Sequence, residues 1–321
     1  MSDIKVAVIG CGHWGKNLVR NFHELGALAA VSDPDKETMD EISNHYHVDG
    51  YPIESILNNN SIHGVVIAAP ASLHSSISIM AMNADKHVYV EKPLAMNLSQ
   101  ADEMIALSDK TKKHLMVGHL LQYHPVFKKV REIVLSGEIG KINYISSIRH
   151  SLGKIRTEED VIWSFAPHDI SMILSLAQNS PLSINTESVE IIQPGICDIA
   201  SISMSFPENI KAKVSVSWMH PTKEQKLIII GDDGMIIFDD TLDWSRKLAI
   251  YNHKIEHNKT GPIAVKSEAE YIVVREGEPL KSECQYFLDL IDNQVTPLTD
   301  GREGRRVLEV LESASSSKSN N

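Results

Sequence analysis

Short apolar runs recur through the first 120 residues and alternate with segments of helical periodicity. One such segment extends from Ser99 to Lys112, where Ala101, Met104 and Leu107 lie on a common face. Strands that alternate with helices are typical of a parallel, doubly wound sheet, so the pattern predicts an α/β Rossmann domain. The runs are Val6 to Ile9, Ala29 to Val31, Val65 to Ala68, Val88 to Val90 and Leu115 to Val117.

After Gly140 the apolar runs follow one another directly, and Gly-Asp-Asp-Gly at 231–234 has the composition of a hairpin turn. This pattern predicts an α+β domain with a mostly antiparallel, open sheet. The runs are Asn143 to Ile148, Ser188 to Ile192, Ala200 to Phe206, Lys211 to Trp218, Lys226 to Ile230, Met235 to Phe238 and Lys247 to Tyr251. Helices are predicted at Val126 to Leu135, near Pro167 to Gln178, at Cys284 to Asp292 and at Arg305 to Ala314.

A glycine loop follows the first apolar run and precedes an amphipathic helix that starts near Lys16. Gly10 permits the tight turn, Gly12 lets the backbone approach a pyrophosphate, and Gly15 lets the helix pack closely on the sheet. The helix N-terminus adds amide donors and a positive dipole. The loop therefore has the features of a dinucleotide-binding site. Its residues are Gly10, Cys11, Gly12, His13, Trp14 and Gly15.

Asp33 ends the second apolar run, about 20 residues beyond the glycines. A carboxylate there accepts hydrogen bonds from both ribose hydroxyls and repels a 2′-phosphate, so we expect NAD as the cofactor. Because Pro34 follows, Asp33 is also suited to cap the next helix, and one residue can serve both purposes.

Composition narrows the functional class. The 321 residues carry a net charge of -11, which argues against a nucleic-acid partner. No apolar run approaches the length of a membrane span and no signal-like segment opens the chain, so we expect a cytoplasmic protein without a membrane partner. Cys11, Cys197 and Cys284 are odd in number and widely spaced, which predicts reduced thiols.

Three further segments carry candidate chemistry. The third run leads into Ala69, Pro70 and, after a short gap, His74; the fourth leads into Glu91-Lys92-Pro93; and Trp163-Ser164-Phe165-Ala166-Pro167-His168-Asp169 lies far downstream. Ligands bind at the carboxyl ends of strands in an open α/β sheet, so the first two segments are expected beside the cofactor. Together with the glycine loop, these motifs resemble the glucose-fructose oxidoreductase and inositol dehydrogenase family, Gfo/Idh/MocA, over essentially the whole chain.

The resemblance implies catalytic roles for two residues. Lys92 would stabilise the reacting oxygen as hydride leaves, and His168 would be the general base that takes the hydroxyl proton. Cofactor contacts are implied for Gly10, Gly12, His13, Trp14, Gly15, Asp33, Ala69, Pro70, His74, Glu91 and Lys92. Many family members carry an aspartate where this chain has Ser164, and a serine here would position hydroxyl groups rather than accept a proton. Asp169 is suited to cap the helix.

Three segments, at 16–22, 118–125 and 163–170, resemble those of a subgroup of this family. The subgroup oxidises the 3-hydroxyl of UDP-linked N-acetylhexosamines or their uronates in bacterial surface-polysaccharide assembly. Such a substrate is anionic, and Arg149, Lys154 and Arg156 would supply cations, although a solvated basic loop is nearly as consistent with the sequence. Tyr123 and His124 are expected to line the sugar pocket. A metal site is not predicted, because His119 and His124 have no carboxylate or cysteine at ligand spacing.

Two other functions stay open: an NAD-dependent inositol or polyol dehydrogenase of the same family, and a nucleotide-sensing regulator without turnover. The sequence predicts an NAD-binding domain at residues 1–122, a substrate-binding and oligomerisation domain at 123–314 and a flexible tail at 315–321. The last helix is expected either in the second domain or returning to the first. An open antiparallel sheet needs one face covered, so we expect a homodimer or homotetramer.

Overall fold

The chain divides into two compact units in a computed structural model that describes residues 4–153 and 155–319. The first unit comprises the residues up to Tyr123 together with Glu278–Leu308, and the second comprises His124–Gly277 and the residues from Glu309 onward. The sequence predicted one continuous second domain at 123–314. In the structure, Glu278–Leu308 belongs to the first unit instead.

Strands and helices alternate in the first unit, whereas strands follow one another in the second. In chain order, the strands are Val6–Ile9 (β1), Leu28–Ser32 (β2), Asp49–Gly50 (β3), Gly64–Ile67 (β4), His87–Glu91 (β5), Leu115–Gly118 (β6), Ile142–Leu152 (β7), Ser183–Val189 (β8), Ile199–Ser205 (β9), Lys211–Ser217 (β10), Met219–Gly231 (β11), Met235–Asp239 (β12), Leu248–Tyr251 (β13), Lys254–Asn258 (β14), Gly261–Val265 (β15), Glu270–Tyr271 (β16) and Lys318–Ser319 (β17). The helices are Gly15–Glu24 (α1), Lys36–Tyr46 (α2), Ile53–Leu57 (α3), His74–Asn83 (α4), Leu98–Thr111 (α5), Pro125–Leu135 (α6), Val161–Ala177 (α7), Pro279–Ile291 (α8) and Gly301–Ser316 (α9).

The first unit contains a six-stranded parallel sheet in the order β3-β2-β1-β4-β5-β6. All residues of β1 and β4 are buried, as expected for apolar strands of a sheet covered on both faces. The strand order reverses between β1 and β4, and ligands of such sheets bind at the carboxyl ends of the strands beside this reversal. The predicted Rossmann sheet is confirmed.

Helix α8 completes the core of the first unit. Leu280, Phe287 and Leu288 belong to the same buried cluster as Val6 and Tyr89. The packing is close, because a methyl group added at Gly64 would lie 2.9 Å from the Cδ1 atom of Ile291. The first unit thus depends on a segment about 150 residues downstream of its other elements.

The second unit contains a nine-stranded sheet in the order β16-β13-β12-β11-β7-β10-β9-β8-β17. Its pairings are antiparallel except for β7 with β10 and β8 with β17, so the predicted mostly antiparallel sheet is confirmed. The predicted turn at 231–234 closes with a hydrogen bond from Gly231 N–H to the Gly234 carbonyl. Strand β8 starts five residues before the predicted run, where Ser183 to Glu187 show little apolar signal.

Helix α7 begins at Val161, six residues before the predicted start at Pro167. Proline favours the first turn of a helix, which made Pro167 look like a start, but here it lies in the helix interior. Asp160 caps the helix by accepting hydrogen bonds from the amides of Ile162 and Trp163. The capping role expected for Asp169 is therefore wrong.

Residues 315–319 of the expected flexible tail at 315–321 form regular structure, and residues 320 and 321 lie outside the described part of the chain. Helix α9 continues to Ser316, and the Ser315 hydroxyl accepts a hydrogen bond from the indole of Trp163. The backbone of β17 then pairs in parallel with Thr186 and Glu187 of β8. Within residues 4–153 and 155–319, no helix combines the length and the apolar character that crossing a bilayer requires.

Candidate active site

The glycine loop between β1 and α1 has room for a ligand at one glycine and none at the other two. A Cβ atom at Gly10, whose φ is +94°, would lie 2.7 Å from the backbone of Ala68 and Ala69. A Cβ atom at Gly15 would lie 1.9 Å from the Gly10 carbonyl oxygen, whereas a Cβ atom at Gly12 would meet nothing within 4 Å. Packing thus requires glycine at 10 and 15, and the open side at 12 fits the approach of a pyrophosphate.

Asp33 follows β2 with its carboxylate held by two backbone amides. Its Oδ2 accepts from Cys11 N–H at 2.7 Å, and its Oδ1 accepts from Asp35 N–H at 2.9 Å. A carboxylate has about four acceptor positions, so two remain for ribose hydroxyls. The alternative capping role belongs to Asp35, whose side chain accepts from Glu37 N–H at the start of α2. This arrangement fits NAD.

None of the three cysteines forms a disulfide. Cys11, Cys197 and Cys284 all have buried side chains, in agreement with the expected reduced state. Burial, together with the nearby Asp33 carboxylate, raises the pKa of Cys11 to about 12. The Cys11 thiol is therefore protonated at neutral pH and is a poor nucleophile.

Glu91 and Lys92 lie where β5 ends, two strands from β1 in the sheet. The Glu91 side chain is buried, which raises the pKa of its carboxyl, and a hydrogen bond from the Trp14 indole and the charge of Lys92 oppose that rise. A Cβ atom at Gly118 would lie 3.0 Å from the Glu91 carboxyl, so that glycine makes room for it. Lys92 is half-buried and is followed by Pro93 through a cis peptide bond.

Ala69 and Pro70 lie beyond the carboxyl end of β4, and His74 is the first residue of α4. Pro70 is exposed, while the His74 ring is buried and lies within hydrogen-bond distance of the carbonyl oxygens of Ala69 and Pro93. The first unit thus brings these residues to the strand ends near the glycine loop. Of the loop residues, His13 and Trp14 are exposed.

The second unit positions Ser164 and His168 on α7. The two residues are four positions apart and therefore lie on one face of the helix. Ser164 is buried and His168 is half-buried. Lys92 belongs to the first unit and His168 to the second.

The structure argues against Arg149 as a free cation for the substrate. Its Nε atom donates to Asp169 Oδ2 at 2.6 Å and its NH2 atom to Asp169 Oδ1 at 3.2 Å, while the Ser147 hydroxyl also donates to Oδ1. Asp169 is 1% exposed, so this pair is a buried, bidentate contact between β7 and α7. Arg156 contacts Glu159 at 3.0 Å in a more exposed pair, and Lys154 lies outside the described residues.

Tyr123 and His124 are structural in this fold, which argues against the sugar-pocket prediction. Tyr123 is completely buried and its hydroxyl bonds with that of Thr299 at 2.7 Å. His124 caps α6 by accepting from Val126 N–H, and its ring stacks on Trp244. Both side chains already have partners within their own unit.

Sequence reasoning missed Glu283, which lies fully buried in α8. Burial, followed by the charge of Glu91, raises the pKa of Glu283 well above its ordinary value. The signal was its place in an apolar stripe, three residues after Leu280 and four before Phe287. A glutamate at such a position is either neutral or paired.

The side chains of His119 and His124 each pair with a carboxylate. In the part of the chain that the structure describes, no group of three histidine, cysteine or acidic side chains is arranged to hold an ion. His119 instead lies 2.6 Å from Glu303, and His124 lies 3.3 Å from Asp240.

Comparison with known proteins gives two matching family models. The first, described as an oxidoreductase family with an NAD-binding Rossmann fold, matches residues 4–119, and the second, a GFO/IDH/MocA C-terminal domain, matches residues 127–237. Among relatives, UDP-N-acetylglucosamine 3-dehydrogenase of Acidithiobacillus ferrooxidans is 26% identical over 310 residues, which cover 96% of this chain and 95% of the relative. Myo-inositol 2-dehydrogenase of Thermotoga maritima is 29% identical over 53% of each chain.

Solved structures show the same fold. A crystal form of the Acidithiobacillus ferrooxidans enzyme superposes with a TM-score of 0.87 at 23% identity, covering 98% of this chain and 97% of that one. GenD2 from gentamicin A biosynthesis, in complex with NAD, superposes with a TM-score of 0.83 at 17% identity and covers 99% of this chain and 94% of its own.

Proposed function

Because the chain belongs to the Gfo/Idh/MocA family of NAD-binding oxidoreductases, we propose that it oxidises the 3-hydroxyl of a UDP-linked N-acetylhexosamine or its uronate. The observation that carries this proposal is the similarity to a UDP-N-acetylglucosamine 3-dehydrogenase along 96% of the chain. The inositol dehydrogenase matches only 53% of it. A polyol substrate is therefore the second candidate.

The residues of the first unit fit a dinucleotide. Gly12 offers open backbone for the pyrophosphate, and the Asp33 carboxylate keeps free acceptor positions for the ribose. Ala69, Pro70, Glu91 and Lys92 border the same strand ends. NAD held by these residues would supply the hydride acceptor for the carbon that carries the reacting hydroxyl.

Lys92 and His168 divide the remaining work in this proposal. The Lys92 ammonium donates a hydrogen bond to the reacting oxygen and stabilises its developing negative charge. The His168 imidazole takes the hydroxyl proton, a task suited to a group that titrates near neutral pH. Ser164, one turn before His168 on α7, orients a substrate hydroxyl.

Two of the three cations predicted for the substrate differ in how they are paired. Arg149 is compensated by the buried Asp169, whereas Arg156 pairs with Glu159 and is partly exposed, so Arg156 is better placed to contact an anionic group. A diphosphate and a uronate carboxylate both suit such a cation. UDP-N-acetylglucosamine is the substrate we test first, because a relative that matches 96% of the chain is a UDP-N-acetylglucosamine 3-dehydrogenase.

The decisive experiment follows NADH formation with purified protein and three substrates: UDP-N-acetylglucosamine, its uronate and myo-inositol. We expect turnover with UDP-N-acetylglucosamine and at least tenfold less with myo-inositol. Preferred oxidation of myo-inositol would replace this proposal with the polyol function. Tight NAD binding without turnover of any sugar or polyol would favour the regulator.

We further propose a cytoplasmic homodimer or homotetramer that serves surface-polysaccharide biosynthesis. One face of the nine-stranded sheet carries half-buried apolar side chains, including Ile148, Ile228 and Ile237, which support an interface between copies. Light scattering of the purified protein measures the assembly, and a monomer would contradict it.

A further inference from the structure

His74 joins two backbone segments through both nitrogens of its ring. The side chain is 1% exposed, with Nδ1 2.7 Å from the Pro93 carbonyl oxygen and Nε2 3.0 Å from the Ala69 carbonyl oxygen. Carbonyl oxygens only accept hydrogen bonds, so each contact requires an N–H on the ring.

Only one of the two contacts has a donor when the ring is neutral. Burial lowers the pKa of His74, the two carbonyls oppose that effect, and the charge of Lys92 lowers the pKa further. A neutral imidazole carries a single N–H. The shorter contact assigns that proton to Nδ1, so the Pro93 carbonyl receives the hydrogen bond.

The two segments that His74 joins are those that carry the candidate chemistry. Pro93 directly follows Lys92. The backbone of Ala69 lies close to Gly10, because a Cβ atom added at Gly10 would lie 2.7 Å from the Ala69 nitrogen. The His74 ring therefore connects the segment after β5 with the segment that borders the glycine loop.

We propose that His74 is a positioning residue whose Nδ1–H holds the Pro93 carbonyl and thereby fixes the backbone that carries Lys92. This inference rests on the role proposed for Lys92. It replaces the direct cofactor contact that the sequence predicted for His74, since the side chain is 1% exposed and both ring nitrogens face carbonyl oxygens inside the unit.

A pair of substitutions separates the two ring nitrogens. In His74→Asn the side-chain NH2 takes approximately the place of Nδ1 and keeps the donor to Pro93, whereas in His74→Gln it takes approximately the place of Nε2, so the donor faces Ala69 and the one to Pro93 is lost. His87→Gln, at the opposite end of β5 from Lys92, is the matched control for a histidine-to-glutamine change in this unit.

We expect His74→Asn to lose less than threefold in kcat and His74→Gln to lose at least tenfold, with the Kd for NAD within threefold of wild type in both. His87→Gln should retain wild-type kcat. Melting temperatures of all variants are measured in parallel, and the two His74 variants should melt within a few degrees of each other. Equal losses in the Asn and Gln variants, or a loss confined to NAD affinity, would overturn the proposal.

A second readout keeps this test separate from the proposed function. Competitive labelling of the Lys92 amine with acetic anhydride at several pH values, followed by mass spectrometry, reports its environment without turnover. The Asn variant should match wild type and the Gln variant should differ from it. If the wild type oxidises no sugar, the proposed function is refuted, but this pattern of Lys92 labelling would still support the positioning role of His74. Identical labelling of Lys92 in all variants would refute that role.

Discussion

At the scale of single residues, two acids in the first unit show how neighbours decide what a side chain does. Two backbone amides donate hydrogen bonds to the Asp33 carboxylate, which still has acceptor positions open. Glu283 lies fully buried near the charge of Glu91, and both raise the pKa of its carboxyl, while a hydrogen bond from the Tyr89 side chain opposes that rise. The first residue is therefore suited to binding, and the surroundings of the second favour its neutral form.

The Asp33 carboxylate should make the protein select NAD over NADP by roughly tenfold or more, because it would face the 2′-phosphate at close range. Isothermal titration with both cofactors measures the ratio. Asp33→Ser should narrow the gap, and nearly equal affinities in the wild type would contradict the assignment.

Lys92→Ala should lower kcat by roughly two orders of magnitude and leave the Kd for NAD nearly unchanged, since the role proposed for the ammonium is to stabilise the reacting oxygen. Steady-state kinetics and cofactor titration give the two values. Wild-type turnover in this variant would remove Lys92 from the mechanism.

Glu283 makes the stability of the first unit depend on pH. Folding raises its pKa above the ordinary value of 4.5, so the folded protein retains a proton that the unfolded chain has released at higher pH. The contribution of Glu283 to the free energy of unfolding therefore falls as pH rises above about 4.5. Glu283→Gln should raise the melting temperature at pH 8 by about 3 °C or more and change it little at pH 4.

The exposed Glu103→Gln in α5 is the control for that substitution. Differential scanning calorimetry across the pH range measures both variants. A gain for Glu283→Gln that is the same at pH 4 and pH 8 would show that ionisation is not its cause.

At the scale of elements, α7 combines an unfavourable proline with a favourable cap. Pro167 removes one backbone hydrogen bond from the helix interior, while Asp160 satisfies two amides of the first turn. Apolar periodicity alone locates the body of this helix. The first residue of the helix depends on the cap. The sequence does not show which of the three consecutive acidic residues at 158–160 is that cap.

Asp160→Ala should destabilise the second unit by about 1 kcal/mol, because two amides at the start of α7 lose their acceptor. Urea unfolding followed by circular dichroism measures the change. Asp160→Asn is the matched variant, since an asparagine also caps well, and it should recover most of the loss. Equal losses in both variants would assign the effect to charge rather than to the cap.

At the scale of the whole molecule, the first unit is built from two separated stretches of chain. Leu280, Phe287 and Leu288 of α8 complete the core that β1 and α1 begin. The residues up to Tyr123 contain the whole dinucleotide fingerprint but only part of the core that supports it.

A fragment of residues 1–123 should therefore be largely unfolded and fail to bind NAD. A second fragment in which residues 278–308 are joined to it by a flexible linker should regain cooperative unfolding and measurable NAD affinity. Circular dichroism melting and fluorescence titration test both, and a folded 1–123 fragment would refute the dependence on α8.

The local pattern of the sequence determined the two fold classes, the glycine loop and Asp33. These features follow from short-range rules: strand and helix periods, the need for glycine in a tight turn, and the spacing from loop to acid. The sequence also pointed to Glu91, Lys92 and His168 through a family resemblance, and their chemistry stays a proposal.

Only the tertiary structure decided which charged and polar side chains already have partners. Arg149 pairs with Asp169 and Tyr123 with Thr299, partners that are 20 and 176 residues apart in the chain. The same holds for the return of 278–308 to the first unit and for the contacts of His74. Such pairings depend on how distant segments pack, and the free energy of a buried charge or ring depends on those neighbours rather than on the local sequence.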